Sequence, residues 1–154
     1  MSEHKGSSTL QQNSAKPLEA VLAPMLGAAW FLWTTLVLTL NATPANSLPK
    51  TKFWFLDFPH SDKIIHFIMY FGVGGLFCAA VLVSTLGNLR LRTKKILFVL
   101  VPLFIAAVDE LNQLNVPGRS ADPLDYLADA IGIAAGVSSA LLLHGRVFSP
   151  QRSE

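Results

Sequence analysis

The sequence predicts an all-α fold: a four-helix transmembrane bundle with both termini in the cytoplasm. Charged residues make up 14% of the 154-residue chain, against about 25% in soluble domains. The mean hydropathy is +0.44. Apolar residues are gathered into four runs, and the first of these, 21–40, is long enough to cross a hydrocarbon layer of about 30 Å.

The composition also excludes several classes of protein. A net charge of +2, without a basic stripe interleaved with aromatic residues, argues against a nucleic-acid partner. The single cysteine, Cys78, excludes an internal disulfide, a cysteine-rich zinc site and an iron–sulfur cluster. The low share of charged residues argues against both an ordinary soluble enzyme and a disordered chain.

The first two helices are predicted from long uncharged runs. No charged residue occurs between 20 and 49, and a helix is expected near 21–40. The run 64–89 has no formal charge apart from His66, which predicts a second helix near 61–85. A soluble bundle would need polar stripes at helical spacing along both runs, and neither run has one.

The third and fourth helices are predicted from shorter runs. These runs, 96–108 and 130–143, contain 13 and 14 residues. Thirteen helical residues reach about 20 Å, which is too short to cross the hydrocarbon. Each run must therefore extend into its acidic neighbours, and we expect helices near 95–113 and 124–143.

Two segments are predicted to flank the membrane domain, which covers 20–145. The polar, Ser- and Gln-rich segment 1–19 is expected to be a disordered cytoplasmic tail, and 146–154 a second cytoplasmic tail. Lys and Arg residues predict the orientation. Eight of them lie in the two tails and the second connection, against four on the opposite side, which places both termini in the cytoplasm.

Ionisable and polar residues gather at the outward ends of helices two, three and four. Asp62, His66 and Tyr70 recur every four residues and share one helix stripe. Because an ionisable group costs about 2.5–3.5 kcal/mol in hydrocarbon, we expect these groups to face one another or a water-filled cleft. The residues of this candidate cleft are Asp62, Lys63, His66, Tyr70, Asp109, Glu110, Gln113, Arg119, Asp125 and Asp129.

The residue types leave several roles open. Lys63 lies beside a predicted helix N-terminus, where it can bind a phosphate group. It can equally form a buried salt bridge next to a helix cap. The carboxylates can join helices, bind a divalent cation or perform acid–base chemistry, and we rank these roles in that order. Arg119 is expected to pair with the carboxylates or a bound phosphate. No zinc-ligand spacing, phosphate-binding loop or nucleophile elbow supports catalysis, so no resident metal or cofactor is predicted and a non-enzymatic role is favoured.

Four glycines are expected at close contacts between helices, because small residues repeated on one helix face let backbones approach in a membrane. They are Gly72, Gly75, Gly132 and Gly136.

Three motifs at these positions resemble the VanZ-like family of bacterial membrane proteins. The resemblance covers about residues 20–143, and many relatives carry Asn at position 129, where this chain has Asp. The motifs are Asp62-Lys63-x-x-His66-Phe67-x-x-Tyr70, Asp109-Glu110-x-x-Gln113 followed by Pro117-Gly118-Arg119-Ser120, and Asp125-x-x-x-Asp129-x-x-Gly132-x-x-x-Gly136.

The resemblance implies a multi-pass protein of the bacterial cytoplasmic (inner) membrane, connected with cell-surface glycoconjugates. The founding member of the family is associated with teicoplanin resistance, a property that motif similarity does not transfer. The leading hypothesis is that the outward-facing cleft binds an anionic lipid or a lipid-linked glycan. One alternative is a membrane hydrolase or transferase acting on isoprenoid or lipid phosphates. Another is a structural bundle whose polar cluster only locks helix packing. The sequence makes no prediction of the oligomeric state.

Overall fold

The computed structural model describes residues 4–47, 59–84 and 90–148. These ranges contain helices and no strand, which confirms the all-α prediction for the described part of the chain. The elements are α1 (His4–Asn41), a short 3-10 helix (Ala45–Ser47), α2 (Ser61–Val83), α3 (Leu91–Gln113) and α4 (Pro123–Phe148).

Four helices are long and apolar enough to cross a membrane, so the prediction of a multi-pass membrane protein is confirmed in this respect. As expected from the short apolar runs, the third and fourth spans include the acidic residues at their ends. The cytoplasmic placement of the termini, and with it the outward direction of the cleft, stays a prediction. The spans are Leu18–Asn41, Ser61–Val83, Ile96–Gln113 and Pro123–Val147.

Three helices extend beyond the predicted boundaries. α1 begins at His4, so the backbone of 4–19 is helical where the sequence predicts a disordered tail. α3 begins at Leu91 rather than near 95, and α4 ends at Phe148 rather than near 143. These boundaries are corrected for one reason: an apolar run marks where a helix leaves the hydrocarbon, whereas backbone hydrogen bonds continue through the polar residues beyond it.

α2 packs most extensively against α4, and this contact depends on glycine. A Cβ atom on Gly132 would collide with the carbonyl oxygen of Phe67, and one on Gly136 would collide with that of Phe71. Gly75 lies against the backbone of Gly136. Small residues permit this close approach, which is a main source of helix association in lipid.

α1 is attached to α2 by a tryptophan. The indole Nε1 of Trp33 donates a hydrogen bond of 2.8 Å to the carbonyl oxygen of Met69. The same ring occupies the space beside Gly72, so this glycine receives a side chain of α1 rather than the backbone of α4. One turn away, Trp30 contacts Phe77, with ring centroids 5.2 Å apart.

The α2–α4 contact predicts opposite effects for two glycines of α4. Gly136→Ala should lower the free energy of unfolding by about 1–3 kcal/mol, because the methyl group can fit only if the helices separate. Gly145→Ala is the matched control, since nothing lies within 4 Å of its Cβ position. It should leave stability unchanged or raise it by up to about 1 kcal/mol, because alanine is the better helix former. Reversible unfolding in detergent micelles measures both, and equal stabilities would contradict the assigned contact.

Candidate functional site

Polar side chains from all four helices converge at one end of the bundle, where α1 and α3 end and α2 and α4 begin. They form two adjoining groups. The lysine group consists of Asp62, Lys63, Asp122 and Asp125. The buried polar cluster, in which no residue is more than 7% exposed, consists of Asn41, His66, Tyr70, Asp109, Glu110, Gln113 and Asp129.

Lys63 is surrounded by carboxylates. Its Nζ atom lies 2.5 Å from Asp122, 2.7 Å from Asp125 and 2.9 Å from Asp62. An ammonium group has three N–H donors, and three carboxylates therefore use all of them. The Asp125 partner is buried, whereas the Asp62 side chain is 57% exposed. Lys63 thus neutralises charge between α2 and α4 and has no donor left for a phosphate.

Asp122 caps the start of α4, although it is not among the residues of the candidate cleft. Its Oδ1 accepts a hydrogen bond of 2.9 Å from the backbone N–H of Leu124, and its own backbone N–H donates to Glu110. An Asp followed by Pro123 is typical of a helix N-cap and first position, which is the sequence signal for this role. The hydrogen bond from Lys63 lowers the pKa of the Asp122 carboxyl below its ordinary value.

Asp109 joins three helices. Its Oδ2 accepts a hydrogen bond of 2.6 Å from Asn41 Nδ2 of α1 and one of 2.7 Å from the Tyr70 hydroxyl of α2. Asn41 is 3% exposed and is also absent from the candidate cleft. The sequence feature that indicates this role for Asn41 is a side-chain amide at the end of an uncharged run, where a buried polar group needs a partner.

Two further contacts complete the buried polar cluster. His66 Nδ1 lies 3.0 Å from Asp129 Oδ1, which joins α2 to α4. Glu110 accepts a hydrogen bond of 3.3 Å from Gln113 and another from the backbone N–H of Asp122. His66, Glu110 and Asp129 also bring potential metal-ligating atoms within 4.8 Å of one another.

Arg119 does not join the carboxylates. Its Nε donates to the carbonyl oxygen of Thr43 at 3.3 Å, and one of its terminal nitrogens donates to that of Leu40 at 3.1 Å. No ion pair links Arg119 to a carboxylate in the ranges that the structure describes. The expectation of a carboxylate partner is wrong, because Arg119 donates instead to carbonyl oxygens at and just beyond the C-terminal end of α1, where a cation is favourable.

An apolar groove lies in the other half of the bundle, between α1, α2 and α4. Its volume is about 420 Å³. Small residues on α2 and α4 leave the groove open, and longer side chains together with His144 form its walls. Periodicity shows that small residues share a helix face but not which space they leave open, so the sequence did not predict this groove. Its lining includes Leu26, Gly75, Ala79, Gly136, Ala140 and His144.

Four apolar helices with a buried polar cluster at one end define a multi-pass membrane protein. A family model described as VanZ/LLP1 matches residues 9–144. The chain belongs to the VanZ family, as the three motifs indicated. No curated protein and no solved structure matches the chain.

The contact between Tyr70 and Asp109 predicts a specific loss on removing one hydroxyl. Tyr70→Phe should lower the free energy of unfolding by about 1–3 kcal/mol, because a buried carboxylate loses a donor. Tyr126→Phe is the control, since Tyr126 is half-buried and its hydroxyl makes no hydrogen bond to any described residue. Unfolding in detergent compares the two, and equal losses would show that the Tyr70 hydroxyl does not stabilise the cluster.

Removing Lys63 should expose the repulsion among its carboxylates. Lys63→Met is expected to cost about 1–3 kcal/mol, less than the 3–5 kcal/mol of a fully buried pair because the group is partly hydrated. Lys94→Met, at the opposite end of the bundle, should cost little. Denaturant titration measures the free energy of unfolding of both variants. If Lys63→Met is as stable as wild type, Lys63 does not offset repulsion among these carboxylates.

The same variant tests the pKa of Asp122, which should rise toward its ordinary value once Lys63 is gone. A lowered pKa in the folded state means that ionised Asp122 stabilises the fold above its ordinary pKa. That contribution is lost as the pH falls through the lower folded-state value. Carboxyl NMR titration of wild type and Lys63→Met measures the shift directly. An unchanged Asp122 pKa would exclude Lys63 as its cause.

Proposed function

We propose that this VanZ-family membrane protein binds an anionic phospholipid, with a hydrocarbon chain lying in the apolar groove between α1, α2 and α4. The groove is the observation that carries the proposal. Its volume of about 420 Å³ is within the range of about 300–1,000 Å³ that is usual for ligand sites. It lies within segments able to span a membrane, where lipid chains are the surrounding apolar molecules.

The shape of the groove suits a flexible chain. Gly75 and Gly136 bring the backbones of α2 and α4 together, and the short side chains of Ala79 and Ala140 leave room for a ligand beside this contact. A lipid hydrocarbon chain in the groove contacts three helices at once, whereas a hydrocarbon chain on a flat face of the bundle contacts one or two. Such contacts are individually weak and collectively large, which favours residence of a lipid in the groove.

The preference for an anionic headgroup is supported by the charges near the end of the groove. His144 and Val147 line that end, and Arg146 between them is exposed. Eight of the 12 Lys and Arg residues occur in the two predicted tails, in the connection between α2 and α3, and at the start of α3. A basic residue near an anionic membrane surface contributes about 1 kcal/mol of attraction.

This position differs from the cleft that the sequence suggests for a lipid headgroup. Lys63 is engaged by three carboxylates, and Arg119 is engaged by the backbone carbonyls of Leu40 and Thr43. The two cations expected to bind a phosphate are thus already committed to protein groups. The geometry therefore favours the groove at the opposite end of α2 and α4.

Filling the groove should weaken lipid binding. Ala79→Leu places a larger side chain in it, whereas Ala134→Leu makes the same change on an exposed surface of α4 and serves as the control. After exchange with phosphatidylglycerol and phosphatidylcholine in equal amounts, native mass spectrometry counts the lipids retained. Wild type and Ala134→Leu should retain phosphatidylglycerol, and Ala79→Leu should retain several-fold less.

The headgroup preference is tested in the same experiment. Arg146→Gln should reduce the preference for phosphatidylglycerol by about fivefold, the equivalent of about 1 kcal/mol. Equal retention by wild type and Ala79→Leu, with both folded, would reject the groove as the site. Retention of a lipid-linked glycan from the native membrane instead would reject the phospholipid as its occupant.

A further inference from the structure

We propose that His66, Glu110 and Asp129 form a binding site for a divalent transition-metal ion such as Zn²⁺ or Mn²⁺. The three residues come from α2, α3 and α4, and each offers a ligand atom within 4.8 Å of the others. Their side chains lie deep in the buried polar cluster, with exposures of 5, 7 and 1%. This site is separate from the apolar groove and does not depend on lipid binding.

The charge of the buried polar cluster favours an added cation. Three carboxylates, Asp109, Glu110 and Asp129, lie in it without a Lys or Arg among its members. The neighbouring ammonium of Lys63 is held by three other carboxylates. Burying an uncompensated charge costs several kcal/mol per ion, and a divalent ion would offset two of the three.

His66 and Asp129 each have one polar side-chain atom outside their mutual contact. The contact between His66 and Asp129 uses Nδ1 and Oδ1. Nε2 and Oδ2 make no hydrogen bond to any residue that the structure describes. An ion bound by all three residues would replace the Nδ1–Oδ1 hydrogen bond with two metal–ligand bonds, so that His66 and Asp129 stay joined through the ion.

The ligand set indicates which ions would fit. Imidazole suits zinc and other transition metals, and carboxylates suit manganese and harder cations, so one nitrogen with two carboxylates favours Zn²⁺ or Mn²⁺. Bond lengths of about 2.0–2.2 Å place tetrahedral ligand atoms about 3.4 Å apart. Ligand atoms within 4.8 Å of one another would move closer by up to about 1.4 Å, through rotation of the three side chains, to reach that spacing.

Manganese binding provides a direct test. The protein is placed in nanodiscs of phosphatidylcholine, a lipid without net charge, and titrated with Mn²⁺ while electron paramagnetic resonance measures the free ion. Wild type should bind one Mn²⁺ per chain, displaceable by Zn²⁺, and electron spin echo modulation should detect a ¹⁴N nucleus of histidine. His66→Gln should abolish that modulation, and Glu110→Gln should weaken binding by at least about tenfold.

The matched control is His60→Asn, which removes an exposed histidine just before α2. Its backbone has φ 66°, a conformation that Asn tolerates. This variant should bind Mn²⁺ and show the ¹⁴N signal as wild type does. Ala79→Leu should also bind Mn²⁺ normally, which separates the metal site from the proposed lipid groove.

Several results would overturn the metal site. They are the absence of stoichiometric Mn²⁺ binding, bound Mn²⁺ without a ¹⁴N signal in wild type, and equal binding by wild type and both ligand variants. Because the first two readouts use wild type, an unfolded variant does not prevent a decision.

Discussion

The hydrocarbon around the helices is the constraint on which this structure depends. Water is absent there, so a carboxylate carried into a span must find its partner on another helix. Asp109 is the clearest case, because its carboxylate accepts from Asn41 of α1 and Tyr70 of α2. The apolar runs of α3 and α4 are too short to span alone, which brings such carboxylates into the membrane and makes polar contacts the links between helices.

The same constraint gives the two ends of the bundle different properties. At the polar end, directional hydrogen bonds and ion pairs join all four helices. At the other end, α2 and α4 are joined by close contact at Gly75 and Gly136, and short side chains beyond that contact leave the apolar groove. The proposed lipid and the proposed metal ion therefore occupy opposite halves, where the surroundings suit a hydrocarbon chain and a cation respectively.

The spans could be predicted because apolar runs must match the membrane thickness, and helical spacing placed His66 and Tyr70 on one stripe. The partners of individual groups could not be predicted. Nothing in the spacing indicates that Asn41 meets Asp109, because that contact depends on how α1 leans against the bundle. Arg119 was expected beside carboxylates, yet it donates to the carbonyl oxygens of Leu40 and Thr43, which are backbone groups that no residue type reveals.

A double-mutant cycle between Asn41 and Asp109 tests most directly whether buried polar contacts link the helices. The free energies of unfolding of Asn41→Ala, Asp109→Ala and the double variant are compared with that of wild type in one detergent. A coupling energy of about 0.6–1.7 kcal/mol is expected, between the average and the maximum found for hydrogen bonds between membrane helices. Additive losses, with a coupling below about 0.3 kcal/mol, would contradict it.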